Sequence, residues 1–151
     1  MIDHVWTVLC TRSSIDRETN NMSLFEAIEQ LTIHDWTGQP GFAPGPFELV
    51  SLWARAETDR PCRGEARFLL RTPGGRTAIS QTHEVDLRQY RRLRTRRRIP
   101  AIPVDGAGLY TFLVELRELD QDQWLQVARI PLEVQVQAAV PQEPPTQAQT
   151  A

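Results

Sequence analysis

The chain has 151 residues, enough for one domain with a core of ordinary size. Hydrophobic residues make up 40% and charged residues 24%, which excludes a chain too polar to fold and one that needs disulfide or metal staples. The formal net charge is -2 and the pI about 5.9, so the protein as a whole exerts no long-range attraction on nucleic acid.

The opening MIDHVWTVLCTR has neither a basic leader region nor a long apolar stretch. No run approaches the ~20 apolar residues that a membrane span requires. Cys10 and Cys62 lie far apart, without CxxC or CxxH spacing, which points to a reducing compartment. The expectation is a soluble cytoplasmic protein with no membrane partner.

His4–Cys10 (HVWTVLC) is rich in β-branched and aromatic residues and runs into the turn-like TRSSIDRETNN, which predicts a first strand. Met22–Ile33 is ambiguous. Ser23 and Glu26 form a capping box, and Leu24, Ile28 and Leu31 keep helical spacing, while Phe25, Ala27, Leu31 and Ile33 share one strand parity. The segment TGQPGFAPGPF, dense in glycine and proline, reads as a loop before a strand over Glu48–Glu57. Glu65–Arg71 and Thr77–Leu87 flank TPGGR and predict a hairpin, whose second strand alternates Ile79, Val85 and Leu87 with Ser80, Thr82, Glu84 and Asp86. Leu109–Leu119 follows the turn VDGAG, and Trp124–Val136 closes the pattern with a bulge or edge position near Pro131. Residues 138–151 contain no aromatic side chain and three prolines, so they read as a disordered Pro/Gln-rich tail outside a domain spanning 1–137.

Four of these segments together, HVWTVLCTRSSIDRETNNMSLFEAIEQL, ELVSLWAR, GLYTFLVEL and WLQVARIPLEV, resemble a family of small bacterial β-sandwich proteins, a domain of unknown function. The resemblance spans roughly residues 4–136 and rests on packing signals. These are a first strand ending in Cys, a Gly-x-Tyr-x-Phe strand and a final Pro-Leu-x-Val strand. It implies that Met22–Ile33 is a strand, against its capping box, and it implies no activity.

No residue pattern points to catalysis, a metal or a cofactor. His4, His34 and His83 stand singly on strands or strand borders, where a hydrogen-bonded or exposed histidine is the ordinary reading. Cys10 on an apolar strand reads as a small buried hydrophobe, and Cys62, between Arg60 and Arg63, as the more reactive thiol. The glycines of TPGGR and DGAG serve turns, since GxxxxGK[ST] and GxGxxG are absent. The tryptophans Trp6, Trp36, Trp53 and Trp124 are too scattered for an aromatic strip and read as packing.

Charge placement carries the remaining signal. All 17 basic residues are arginine, and seven of them fall in Arg88–Arg98 with no carboxylate among them. The rest of the chain carries ten arginines against 19 carboxylates. In an all-β setting the run reads as a strand over 88–98, with Arg92, Arg94, Arg96 and Arg98 on one face at ~6.6–6.8 Å spacing. Pairing with Leu109–Leu119 about Gly106 and Ala107 would set Arg98 opposite Glu115 and bring Glu118 near Arg94 and Thr95.

The sequence therefore predicts an all-β protein: an antiparallel sandwich of about eight strands, immunoglobulin-like or C2-like. The expected function is a non-catalytic protein-binding or assembly module, with a protein partner or self-association. Arg92, Arg94, Arg96 and Arg98 are the candidate anion- or partner-binding residues. The alternative is nucleic-acid or polyanion binding through the same strand, against which stands the lack of an aromatic residue between Arg91 and Arg98 to stack bases.

Overall fold

A computed structural model describes residues 1–142. They form nine strands: β1 (Ile2–Ile15), β2 (Met22–Ala27), β3 (Gln30–Trp36), β4 (Gly41–Arg55), β5 (Arg63–Arg71), β6 (Thr77–Asp86), β7 (Arg92–Val104), β8 (Gly108–Glu118) and β9 (Leu125–Ala138). One sheet has the order β2-β1-β4-β7 and the other β3-β9-β8-β5-β6. The two sheets close a β-sandwich over a core that includes Trp53, Leu49, Phe47 and Ile99 from the first and Phe68, Leu70, Phe112, Val114 and Leu132 from the second. Phe68 and Phe112 meet edge to face at 6.2 Å. Among the described residues no helix is long and apolar enough to cross a membrane.

Met22–Ile33 is extended rather than helical, as the resemblance implies, but it is two strands and not one. Glu26 takes a φ of 52°, and the chain then changes sheets. Ile28 still donates its backbone N–H to Leu9, while Glu29 already accepts from Glu133. Hydrogen bonds to two different sheets outweigh the local gain of a capping box. β3 then pairs in parallel with β9, an exception in an otherwise antiparallel fold.

Three further expectations need correction. Gly41–Phe47 is not a loop: it extends β4, with Gly41–Pro44 paired to Ala101–Val104 of β7 and Phe47 to Ile99. The register shift between Pro44 and Phe47, where the Gly45–Pro46 peptide is cis, absorbs the irregular residues as a bulge. β9 is not an edge strand, since β3 and β8 flank it. β3 reaches it only from Glu133 onward, however, so at Pro131 β9 has β8 alone and no second neighbour needs the missing N–H. Strand β9 also runs to Ala138, one residue into the expected tail; residues 143–151 lie outside the described ones.

The third correction concerns the arginine run. The strand begins at Arg92, and residues 87–91 connect it to β6. It pairs with β4 and not with β8. The turn after Val104 carries the chain from one sheet to the other. Tyr110, fully buried, locks it: its hydroxyl accepts from the Asp105 N–H at 2.8 Å and donates to the Gly106 carbonyl at 2.9 Å. A turn that looks like a hairpin in sequence is thus an arch between sheets.

Candidate functional site

β7 is the outer strand of its sheet. Its register with β4 sets Arg98 opposite Glu48, Arg96 opposite Val50, Arg94 opposite Leu52 and Arg92 opposite Ala54. Trp53, Leu49 and Phe47 belong to the core, so the alternate residues of β4 and the four arginines opposite them face away from the second sheet. Arg92, Arg94, Arg96 and Arg98 therefore share the outer face, as the sequence predicts.

Their expected partners lie elsewhere. Glu115 pairs with Arg67 and Glu65 with Arg117, both directly across β5 and β8 on the second sheet, and both guanidiniums stack on Trp124. Glu118 accepts the backbone N–H of Ile2 at 2.7 Å. Arg88 is held by Asp86, whose carboxyl these hydrogen bonds keep well below the usual carboxylate range. Among the described residues, none of the six arginines from Arg91 to Arg98 has a carboxylate oxygen within 4.0 Å.

Neutral groups hold some of them instead. The turn between β1 and β2 is shaped by Asp16, whose carboxylate accepts the N–H groups of Glu18 and Thr19 and the Thr19 hydroxyl. These bonds lower the Asp16 pKa. Asn20 follows in the left-handed region with φ 57°, which asparagine tolerates. Its carbonyl accepts a hydrogen bond from Arg94, although β4 lies between the two strands in the sheet. Ser13 donates to Glu48 at 2.5 Å and accepts from Arg96 at 3.4 Å. The β1–β2 hairpin thus curls over the outer face of its own sheet, and that cover explains why Val50, outside the main core, is fully buried.

Between the hairpin tip and β7 lies an open groove of about 550 Å³. Arg91, Arg92 and Arg94 line it with Asn20, Asn21, Met22, Trp6, Leu52 and Tyr90. Tyr90 is 60% exposed. Sequence reasoning missed Trp6, Asn20 and Asn21 because they reach the site through the hairpin. Tyr90, the residue immediately before the arginines, was the one visible signal.

The inner face of β7 holds a second feature. Arg97 lies near His83 of β6, the outer strand of the other sheet. Neither nitrogen of His83 nor Nε of Arg97 has a hydrogen-bond partner among the described residues. Burial first, and then the Arg97 charge, lower the His83 pKa to about 4. The unfolded chain therefore takes up this proton at higher pH than the folded one. The stability linked to His83 is complete above about pH 6.5 and is lost as pH falls toward about 4. Discounted for partial exposure, its worth is on the order of 1–2 kcal/mol. Urea unfolding between pH 7 and pH 4.5 should show this loss, and His83→Leu should flatten it. His4, whose pKa is also lowered by burial, leaves a residual slope of the same sign. An unchanged slope in His83→Leu would mean that the ring is solvated.

The remaining candidates stay apart. His4 hydrogen-bonds Thr7 and packs edge to face on Trp53, while His34 hydrogen-bonds Gln137. Cys10 is fully buried, and burial with the nearby Glu48 charge pushes its thiol pKa up, the opposite of what a nucleophile needs. Among the described residues no three His, Cys, Asp or Glu side chains are grouped to hold a metal ion.

No protein-family model matches the chain, and no curated protein matches it. Among solved structures it is similar to the C-terminal domain of wzt, with 13% sequence identity and a TM-score of 0.48, over 88% of this chain and 72% of that one.

Proposed function

We propose that the chain is a non-catalytic binding module that takes an acidic protein partner on strand β7. One observation carries the reading: six arginines lie within Arg91–Arg98, at the start of an exposed outer strand, and no carboxylate oxygen of the described residues lies within 4.0 Å of any of them. Of the eleven arginines elsewhere, six are ion-paired among the described residues, as at Arg67–Glu115, Arg117–Glu65, Arg63–Glu84 and Arg76–Asp105, and the five others are spread over the fold rather than set in a row. The register sets one carboxylate, Glu48, opposite Arg98, and it accepts the Ser13 hydroxyl. A row of like charges with so few counter-charges repels itself, and an anionic partner relieves that repulsion. Arginine suits the task, because its planar fork meets carboxylates through two hydrogen bonds.

A second reading has its own observation. Trp6 and Tyr90 line the groove beside Arg91, Arg92 and Arg94, so the fold brings to the arginines aromatic rings that the strand alone lacks. Aromatic rings beside arginines can hold single-stranded nucleic acid.

Fluorescence anisotropy separates the two. A labelled polyglutamate peptide and a labelled single-stranded oligonucleotide of equal charge are titrated with wild type and with the variant carrying Arg92→Gln, Arg94→Gln, Arg96→Gln and Arg98→Gln. The expected result is peptide binding that the variant loses, with weak oligonucleotide binding that it barely changes. Tight oligonucleotide binding with a log K against log salt slope of roughly -3 to -4, abolished in the variant, would establish the second reading instead.

A further inference from the structure

We infer that β7 binds its partner by strand addition: an extended segment with carboxylates at alternate positions pairs antiparallel with Arg92–Arg98 as a fifth strand of the sheet. The inference rests on the protein-binding reading above and specifies its geometry.

The backbone supplies the first argument. Arg55 of β4 donates its N–H to the carbonyl of Arg91 at 3.0 Å. The register from Ala54↔Arg92 to Phe47↔Ile99 then continues without a shift. Alternation along an antiparallel pair turns the N–H and C=O groups of Leu93, Thr95 and Arg97 toward β4. It turns those of Arg92, Arg94, Arg96 and Arg98 outward, where β7 has no neighbour in its sheet. The residues with unpaired edge groups are the same four that carry the outer arginines. Pro100, which has no N–H, ends the stretch.

The side chains supply the second. In an antiparallel pair, residues that exchange backbone hydrogen bonds also share a face. A strand added to this edge places every second side chain opposite one of the four arginines, at the same ~6.8 Å repeat. Carboxylates at those positions meet the guanidiniums one to one. The intervening side chains lie beside Leu93, Thr95 and Arg97, where β-branched residues fit.

The same register disfavours pairing of β7 with the β7 of a second copy. Two β7 edges paired antiparallel would set arginine opposite arginine along the whole stretch, a repulsive arrangement. The charge row therefore calls for an acidic segment as the occupant. Its recognition combines main-chain hydrogen bonds for affinity with alternate side chains for specificity.

Four peptides of equal charge test the inference by anisotropy or calorimetry. One alternates Glu and Thr over eight residues, one has four Glu followed by four Thr, and two are the alternating peptide with N-methyl groups on two central Glu residues or on two central Thr residues. Strand addition predicts tightest binding by the alternating peptide. It also predicts a loss of about tenfold or more on N-methylation at Glu, whose N–H groups face β7, and little change when the same groups are moved to Thr. Equal binding of the block and alternating peptides, or tolerance of N-methyl groups at Glu, overturns strand addition while leaving an anion-binding face in place. Failure of all the peptides overturns both the inference and the protein-binding reading beneath it.

Discussion

Trp53→Ala should remove about 3–5 kcal/mol of folding stability, measured as a shift of the urea midpoint at unchanged slope. Trp53 is fully buried. Its ring packs against His4 of β1, and its indole N–H donates to the Thr95 hydroxyl of β7 at 3.0 Å. One side chain thus ties three adjacent strands together beneath the arginine row. Alanine leaves a large cavity between sheets that cannot close without moving β7. Thr95→Val isolates the hydrogen bond, because it keeps the volume and leaves the indole N–H buried without a partner, at a cost of about 1–3 kcal/mol. A loss below about 1 kcal/mol for Trp53→Ala would mean that this part of the core is not packed as described.

Gly64→Ala is expected to cost about 1–3 kcal/mol, toward the upper end. Gly64 lies on β5, between β6 and β8, opposite Val85 on one side and Glu118 on the other. An added Cβ would come within 2.7 Å of the Arg117 carbonyl oxygen and 3.0 Å of Ile2 Cδ1. The isoleucine can rotate, but the carbonyl belongs to the paired neighbour strand and cannot. Gly74→Ala is the control: in the β5–β6 turn its nearest contact would be Thr72 Oγ1 at 3.9 Å, so the change should stay within about 0.5 kcal/mol. Equal effects at the two positions would contradict the close approach of β5 and β8.

The contrast between these sites shows what could be read from sequence. Alternation in Thr77–Leu87 and the TPGGR turn gave a hairpin at its actual place, because both signals are local. The arginine face was legible for the same reason: strand parity alone fixes which four arginines point together. Their neighbours were not, because the choice of β4 over β8 depends on an arch held by Tyr110, and no local rule separates an arch from a hairpin turn at Asp105–Gly108. Gly41–Phe47 was hidden by its composition, since proline and glycine argue against a strand except where a bulge accepts them. The groove as a whole was hidden, because Trp6, Asn20 and Tyr90 lie far apart in the chain and meet only when the hairpin curls back.

The parallel pairing of β3 with β9 bears on how the protein is made. Gln30 finds Glu133 only after about a hundred intervening residues have been added to the chain. At roughly 5–20 residues per second, β3 waits on the order of 5–20 s for its partner. During that interval Leu31 and Ile33, which later pack against the core, are open to pairing with another nascent chain. The completed strand β7 carries its own guard against such pairing in its arginines, whereas β3, the outer strand of the other sheet, has Asp35 as its one charged residue.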